Sequence, residues 1–260
     1  MIPKLIHFCW LSGDPYPPKI QYCIDSWKRL LPDYEVVLWD TNRFDVNMTP
    51  WTKKAFEMKK YAFVADYIRL YAVYNYGGIY LDSDVEVIKS FDDLLHLPYF
   101  TGIEAGPDGI ELAAFGAEKG TVWLKDMMEY YEGRDFPDSF EEAFFMPMPA
   151  TMGRLIRKKY YWILIKTPEE FDPDPSCICL LPTDWFCAHP ADKENGLRYF
   201  VTQNTHSIHH FANSWVECGY GGGPLHRLYY KLMGKDWRYL DKRFRLFGKG
   251  MIKMNYTEEK

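Results

Sequence analysis

The chain has 260 residues, of which 47% are hydrophobic, 18% aromatic and 26% charged, with a formal net charge of −5, enough for one sizeable core and a folded domain with additions. No run of about 18 apolar residues is available to span a bilayer, and the opening "MIPKLIHFCWLSGDPYPP" lacks the charged start and long apolar core of a secretory signal, so a cytoplasmic protein is expected. Six scattered cysteines without a CxxC pair point away from a zinc ribbon or a disulfide framework and read as reduced core residues.

Lys4 to Trp10, "KLIHFCW", reads as a short buried strand between Pro3 and the turn-forming "SGDPYPP". Ile20 to Leu31 has helical spacing and is stopped by Pro32, and "YEVVLW" (34 to 39) is β-branched and aromatic, a second strand. Thr49 before Pro50 reads as an N-cap. The helical segment it opens runs to about residue 75, with one break, and Gly77 and Gly78 end it. Ile79 to Leu81 is the third strand. The alternation predicts an α/β fold with a mostly parallel central sheet flanked by helices. Beyond residue 90, "YFTGIEA" and "IELAAFGAE" read as strand and loop segments, a helix is expected over Thr121 to Tyr131 and a strand at "CICLLP", while "THSIHHFANSW" (205 to 215) alternates too little to assign. The last segment is basic and aromatic: nine Lys or Arg stand against two Asp between Leu225 and Met254. It reads as a helical extension, 225–260, following a catalytic domain, 1–224. Either it lies on an anionic membrane surface, which would put the protein at the inner face of the membrane, or it is a solvated basic face packed on the main domain.

"GGIYLDSDVEVI" places Asp82 and Asp84 where a buried strand ends. In open α/β sheets ligands gather outside the carboxyl ends of strands. Residues two apart on extended backbone share a face, so both carboxylates can address one ligand. Two close anions repel unless a cation joins them, and Mg²⁺ or Mn²⁺ suits carboxylate oxygens while leaving positions for phosphate oxygens. A capped or solvated turn is the plain alternative. A second D-x-D, "FDPDP" at Asp172 and Asp174, reads as a proline-rich loop without chemistry. Asp66 and Arg69, three apart on an otherwise apolar helix, form either a buried ion pair or a polar pair kept for a sugar's hydroxyls. Trp10, at the end of the first strand, is a core or rim aromatic, or a stacking platform for a base or sugar ring. His206, His209 and His210 cluster in sequence, and a neutral imidazole near the carboxylates would complete a metal shell.

"IPKLIHFCWLSG", "AFVADYIRLYAVYNYGGIYLDSDVEVI" and "THSIHHFANSW" together resemble, in order, the signature blocks of the DxD-containing sugar transferases of glycosyltransferase family 32. That family includes capsular polysaccharide enzymes and yeast mannosyltransferases, and the glucosylating domains of the large clostridial toxins are related. The resemblance implies a GT-A type fold and retaining transfer of a hexose or N-acetylhexosamine from a nucleotide diphosphate donor, a UDP-sugar first, to a glycan or lipid-linked acceptor in surface polysaccharide synthesis. No nucleic-acid partner is expected. By the family pattern Trp10 stacks on the base near the Cys9 backbone, Asp66 and Arg69 hold the donor sugar, and Tyr80 and Asp82 sit at the ribose and sugar. Asp84 binds Mn²⁺ (or Mg²⁺) directly and Asp82 through water, His210 falls at a further metal-ligand position, and Asn213, Ser214 and Trp215 close over the diphosphate. Ala65 departs from the pattern, where Ser is common, which leaves donor choice open. A front-face attack is favoured over a double displacement, for which Glu104 and Glu111 are candidate nucleophiles by region. Two other functions fit parts of the pattern: a haloacid-dehalogenase-type phosphohydrolase, with Asp82 as nucleophile, and a non-catalytic carbohydrate-binding protein.

Overall fold

The computed structural model describes residues 1–104, 109–139, 143, 147–188 and 201–212. Asn213, Ser214, Trp215 and the extension from 225 to 260 lie outside them. Among the described residues no helix is long and apolar enough to cross a membrane.

The opening half follows the predicted order: β1 (Leu5–Cys9), α1 (Pro18–Leu30), β2 (Glu35–Trp39), α2 (Pro50–Glu57), α3 (Tyr61–Tyr76) and β3 (Gly78–Leu81). Thr49 caps α2 reciprocally: its hydroxyl accepts from the Thr52 N–H at 3.0 Å while its own N–H donates to Thr52 Oγ1 at 3.2 Å. The expected break in the helical stretch falls at Lys59, whose φ of 58° no helix continues through. Gly77, φ 68°, caps α3 with its N–H on the Val73 carbonyl at 2.8 Å. Gly78 is required by close approach: at its φ of 108° a Cβ would meet the Leu5 carbonyl oxygen at 2.8 Å.

Then follow β4 (Val85–Val87), β5 (Tyr99–Phe100), β6 (Ala114–Ala117), α4 (Val122–Glu129), α5 (Met148–Ile156), β7 (Tyr161–Leu164), β8 (Cys177–Leu180) and β9 (Ser207–His209). The central sheet has the order β2-β1-β3-β6-β5. Its β2-β1-β3 half is parallel, as the alternation of strands and helices predicts, but β6 and β5 join antiparallel, so the sheet is mixed rather than mostly parallel. β6 follows β5 in the chain and pairs antiparallel with it and with β3, Leu81 beside Ala114. Two small sheets, β4-β9 antiparallel and β7-β8 parallel, stand beside it.

The core is built from Ile6, Phe8, Ile24, Trp27, Ile79, Leu81, Phe91 and Phe100. Helix α1 is stapled to β4 by Trp27 Nε1 on the Val85 carbonyl (2.8 Å) and by the Val87 N–H on Ser26 Oγ (2.9 Å). Helix α3 is apolar on nearly every face and correspondingly buried, so the charges of Asp66 and Arg69 are carried into the interior. "FDPDP" is loop, as expected, with Asp174 capping its own turn through Ser176.

Candidate active site

Because β1 and β3 run parallel, with His7 beside Tyr80, their carboxyl ends emerge at one sheet edge. Trp10 follows one and Asp82 the other. Trp10 is half-buried, its Nε1 on the Asp14 carbonyl at 2.7 Å and its ring edge-on to Tyr16. Cys9 is buried, and burial pushes its thiol up to about 12 despite the neighbouring Tyr80 hydroxyl.

Arg69 is the hub of this edge. Nη2 lies 3.0 Å from Asp66 Oδ1 and 3.2 Å from Asp82 Oδ1, and Nη1 donates to Asp82 Oδ2 at 3.2 Å and to the Leu112 carbonyl at 2.9 Å. The guanidinium also sits over the Tyr80 ring, 4.9 Å from its centroid. Burial raises the Asp66 carboxyl to about 7; Arg69 opposes the rise and Asp82 adds to it. Asp82 takes a further bond from the Tyr80 hydroxyl at 2.9 Å. Both of its oxygens thus take part in the bonds that orient it.

The two D-x-D carboxylates do not converge along extended backbone, as the spacing alone predicts. Residues 82 to 85 form a turn, closed by the Val85 N–H on the Asp82 carbonyl at 2.9 Å, and the chain leaves as β4. The turn brings Asp84 against β9, where Val85 pairs with His209. Asp82, Asp84 and His209 each offer a ligand atom, all within 4.8 Å of one another. His209 Nε2 lies 3.5 Å from Asp84 Oδ1, and its Nδ1 is buried without a hydrogen-bond partner among the described residues. Burial disfavours charge on His209, but Asp84, Glu111 and Asp82 outweigh it and lift the imidazole to about 9. Two carboxylates and an imidazole attracting positive charge into one half-buried corner are a donor set that fits a divalent cation.

The family resemblance implies His210 as a further metal ligand, whereas the group that lies together here includes His209. Alternate residues of a strand face opposite ways, so His209 reaches Asp84 while His210 points elsewhere, its Nε2 2.9 Å from Glu86 Oε2. Glu86 is held from its other oxygen by the Tyr22 hydroxyl at 2.7 Å. His206 is structural: its ring is stacked between Phe91 and Trp185 and bonded to Asp93 at 2.8 Å. The register of "SIH" against "VEV" sets His209 beside Val85 and so next to Asp84, and it exists only once β4 and β9 are paired.

Of the two candidate nucleophiles, Glu111 is at 1% exposure, with Oε1 accepting the Ala113 and Ala114 N–H groups at 2.7 and 3.1 Å. Glu104 is half-buried, and burial with the neighbouring Glu111 raises its carboxyl to about 8.

Residues 17–101 match the family model described as "Glycosyltransferase sugar-binding region containing DXD motif", which spans α1 to β5 and includes Asp66, Arg69, Asp82 and Asp84. The chain is 37% identical over 127 residues to inositol phosphoceramide mannosyltransferase 3 of Schizosaccharomyces pombe, covering 47% of this chain and 35% of that protein. It is 35% identical over 161 residues to mannosyl phosphorylinositol ceramide synthase SUR1 of Saccharomyces cerevisiae, covering 59% and 39%. The matched part therefore spans well under half the length of these curated relatives. Among solved structures, the PaToxG glycosyltransferase aligns with 60% of this chain and 68% of its own at 19% identity and a TM-score of 0.47.

Proposed function

We propose that the chain is a retaining glycosyltransferase of the GT-A type, moving a hexose or N-acetylhexosamine from a nucleotide diphosphate to a glycan or lipid-linked acceptor. The observation that carries this reading is the convergence of Asp82, Asp84 and His209 within 4.8 Å at the sheet's carboxyl edge, next to the buried Asp66–Arg69 pair. Asp84 and His209 would hold Mn²⁺ or Mg²⁺ directly, with Asp82 through water. When bound, such an ion supplies the positive charge that stabilises a departing nucleoside diphosphate.

The chain's own residues supply the rest. Trp10 offers a ring at the edge for the base. Arg69, pinned by Asp66 and Asp82, presents a fixed guanidinium, and Asp66 and Asp82 face the sugar's hydroxyls with their orientation already set, so little reorganisation accompanies binding. Asn213, Ser214 and Trp215 are proposed to contact the diphosphate. With Glu111 engaged by backbone amides, a double displacement would fall to Glu104; attack from the front face, with the departing phosphate as base, needs neither.

The named activities of the two yeast relatives favour a lipid-linked acceptor and a mannosyl donor, whereas the family resemblance in the sequence favours a UDP-hexose and surface polysaccharide. A panel of UDP- and GDP-sugars, with Mn²⁺ and with EDTA, decides between donors. Anomeric analysis of the product tests retention. Phosphate release from simple phosphoesters without nucleotide-sugar turnover would instead favour a phosphohydrolase, and carbohydrate binding without metal-dependent turnover would favour a binding protein. The basic segment from Leu225 is proposed to touch anionic membranes, and co-sedimentation with anionic vesicles before and after truncation there tests it.

A further inference from the structure

Glu111 is buried at 1% exposure, and among the described residues only one of its carboxyl oxygens, Oε1, has hydrogen-bond partners, so what that oxygen holds is informative. The Ala113 N–H belongs to the peptide unit whose other end, the Leu112 carbonyl, accepts from Arg69 Nη1 at 2.9 Å. The Ala114 N–H belongs to the next peptide unit, whose Ala113 carbonyl accepts the Asp82 N–H at 2.7 Å. Peptide units are planar and rigid, so a grip on the N–H end fixes the direction of the C=O end. One carboxylate oxygen thus holds two successive peptide planes, and the far ends of those planes hold the guanidinium and the first aspartate of the D-x-D turn. Glu111 is itself fixed by its N–H on the Gly102 carbonyl (2.8 Å) and by Thr101 Oγ1 donating to its own carbonyl (2.6 Å).

We propose that Glu111 is a positioning residue for sugar transfer: its carboxylate locks the 112–114 peptides that aim Arg69 and Asp82 at the donor. The proposal rests on the glycosyltransferase reading for its catalytic consequence, but the lock itself can be measured apart from activity. Glu111→Gln keeps the accepting Oε1, whereas Glu111→Ala removes the grip. A core truncation remote from the site, Met152→Ala on α5, serves as the control for a general loss of stability.

Two readouts test it: exchange of the Asp82 amide hydrogen in the metal-free protein, and kcat and KM for the donor that the panel identifies. Glu111→Ala is expected to speed Asp82 amide exchange and to lower kcat/KM about 100-fold, the scale of a misplacement of about 1 Å, with Glu111→Gln within about threefold of the parent in both. If Glu111→Ala resembles Met152→Ala in both readouts, or Glu111→Gln is as impaired as Glu111→Ala, the proposal is overturned. Should the alanine variant not fold, Glu111→Asp, which withdraws the carboxylate by one methylene, takes its place. Absence of turnover in the parent protein would defeat the proposed function, and amide exchange then decides the lock by itself.

Discussion

Replacing Arg69 by Met keeps an apolar stem of similar length and removes the guanidinium that joins Asp66, Asp82 and the Leu112 carbonyl. All three partners then remain in place, two of them carboxylates that are largely buried. Breaking a buried pair in this way costs about 3–5 kcal/mol, which corresponds to a fall in Tm of about 6–20 °C at the sensitivity of a domain of this size. The loss also depends on pH. Burial already holds Asp66 near 7, above its ordinary 3.8, and Arg69 is what keeps it from rising further. A carboxyl whose folded pKa is raised contributes stability that is present at low pH and lost as pH rises through the folded pKa. In the parent that loss is complete just above 7. In Arg69→Met it continues upward, so the penalty grows with pH beyond about 7, by up to about 1.4 kcal/mol per pH unit. Urea unfolding at pH 6.5 and 8.5 in EDTA measures both effects. A penalty under about 1 kcal/mol and equal at the two pH values would refute the reasoning, because it is the behaviour of a solvated surface pair.

Two further outcomes follow from the geometry. His209→Ala is expected to weaken Mn²⁺ binding, followed by electron paramagnetic resonance titration, by more than the roughly 10–100-fold seen when an outer partner of a metal ligand is lost, and His210→Ala by less than that range; the reverse order would mean that sequence spacing, not strand alternation, selects the ligand. Gly78→Ala combines a φ of 108° with a Cβ placed 2.8 Å from the Leu5 carbonyl, so denaturant unfolding should show a loss of at least about 3 kcal/mol, and a loss under 1 would mean that β1 and β3 can separate to admit a methyl group.

Much of the site's parallel half was legible because its determinants are local. Thr49 with Pro50, the Gly77–Gly78 stop, and Asp66 and Arg69 on an apolar helix each declare themselves within a few residues. The D-x-D was visible too, although its two carboxylates meet through a turn that the Asp82 carbonyl closes, not along a strand. What stayed hidden depends on pairing between distant segments. Only the register of Val85 against His209 tells that histidine from its neighbour, and only the antiparallel return of β6 brings Glu111 and the Leu112 carbonyl under Arg69. Hydrophobic periodicity reports which face of a strand is buried and is silent on which strand lies beside it.

The central claim is that the corner formed by Asp82, Asp84 and His209 binds the metal on which nucleotide-sugar turnover depends. The direct measurement is release of nucleoside diphosphate from the preferred donor, with Mn²⁺ and with EDTA, by the parent protein and by Asp84→Ala. The account predicts release that EDTA abolishes and Mn²⁺ restores, and a loss of at least about 100-fold in Asp84→Ala, the scale set by removing one element of charge stabilisation at a leaving group. Release that is equal with EDTA, or unchanged in Asp84→Ala, would contradict it.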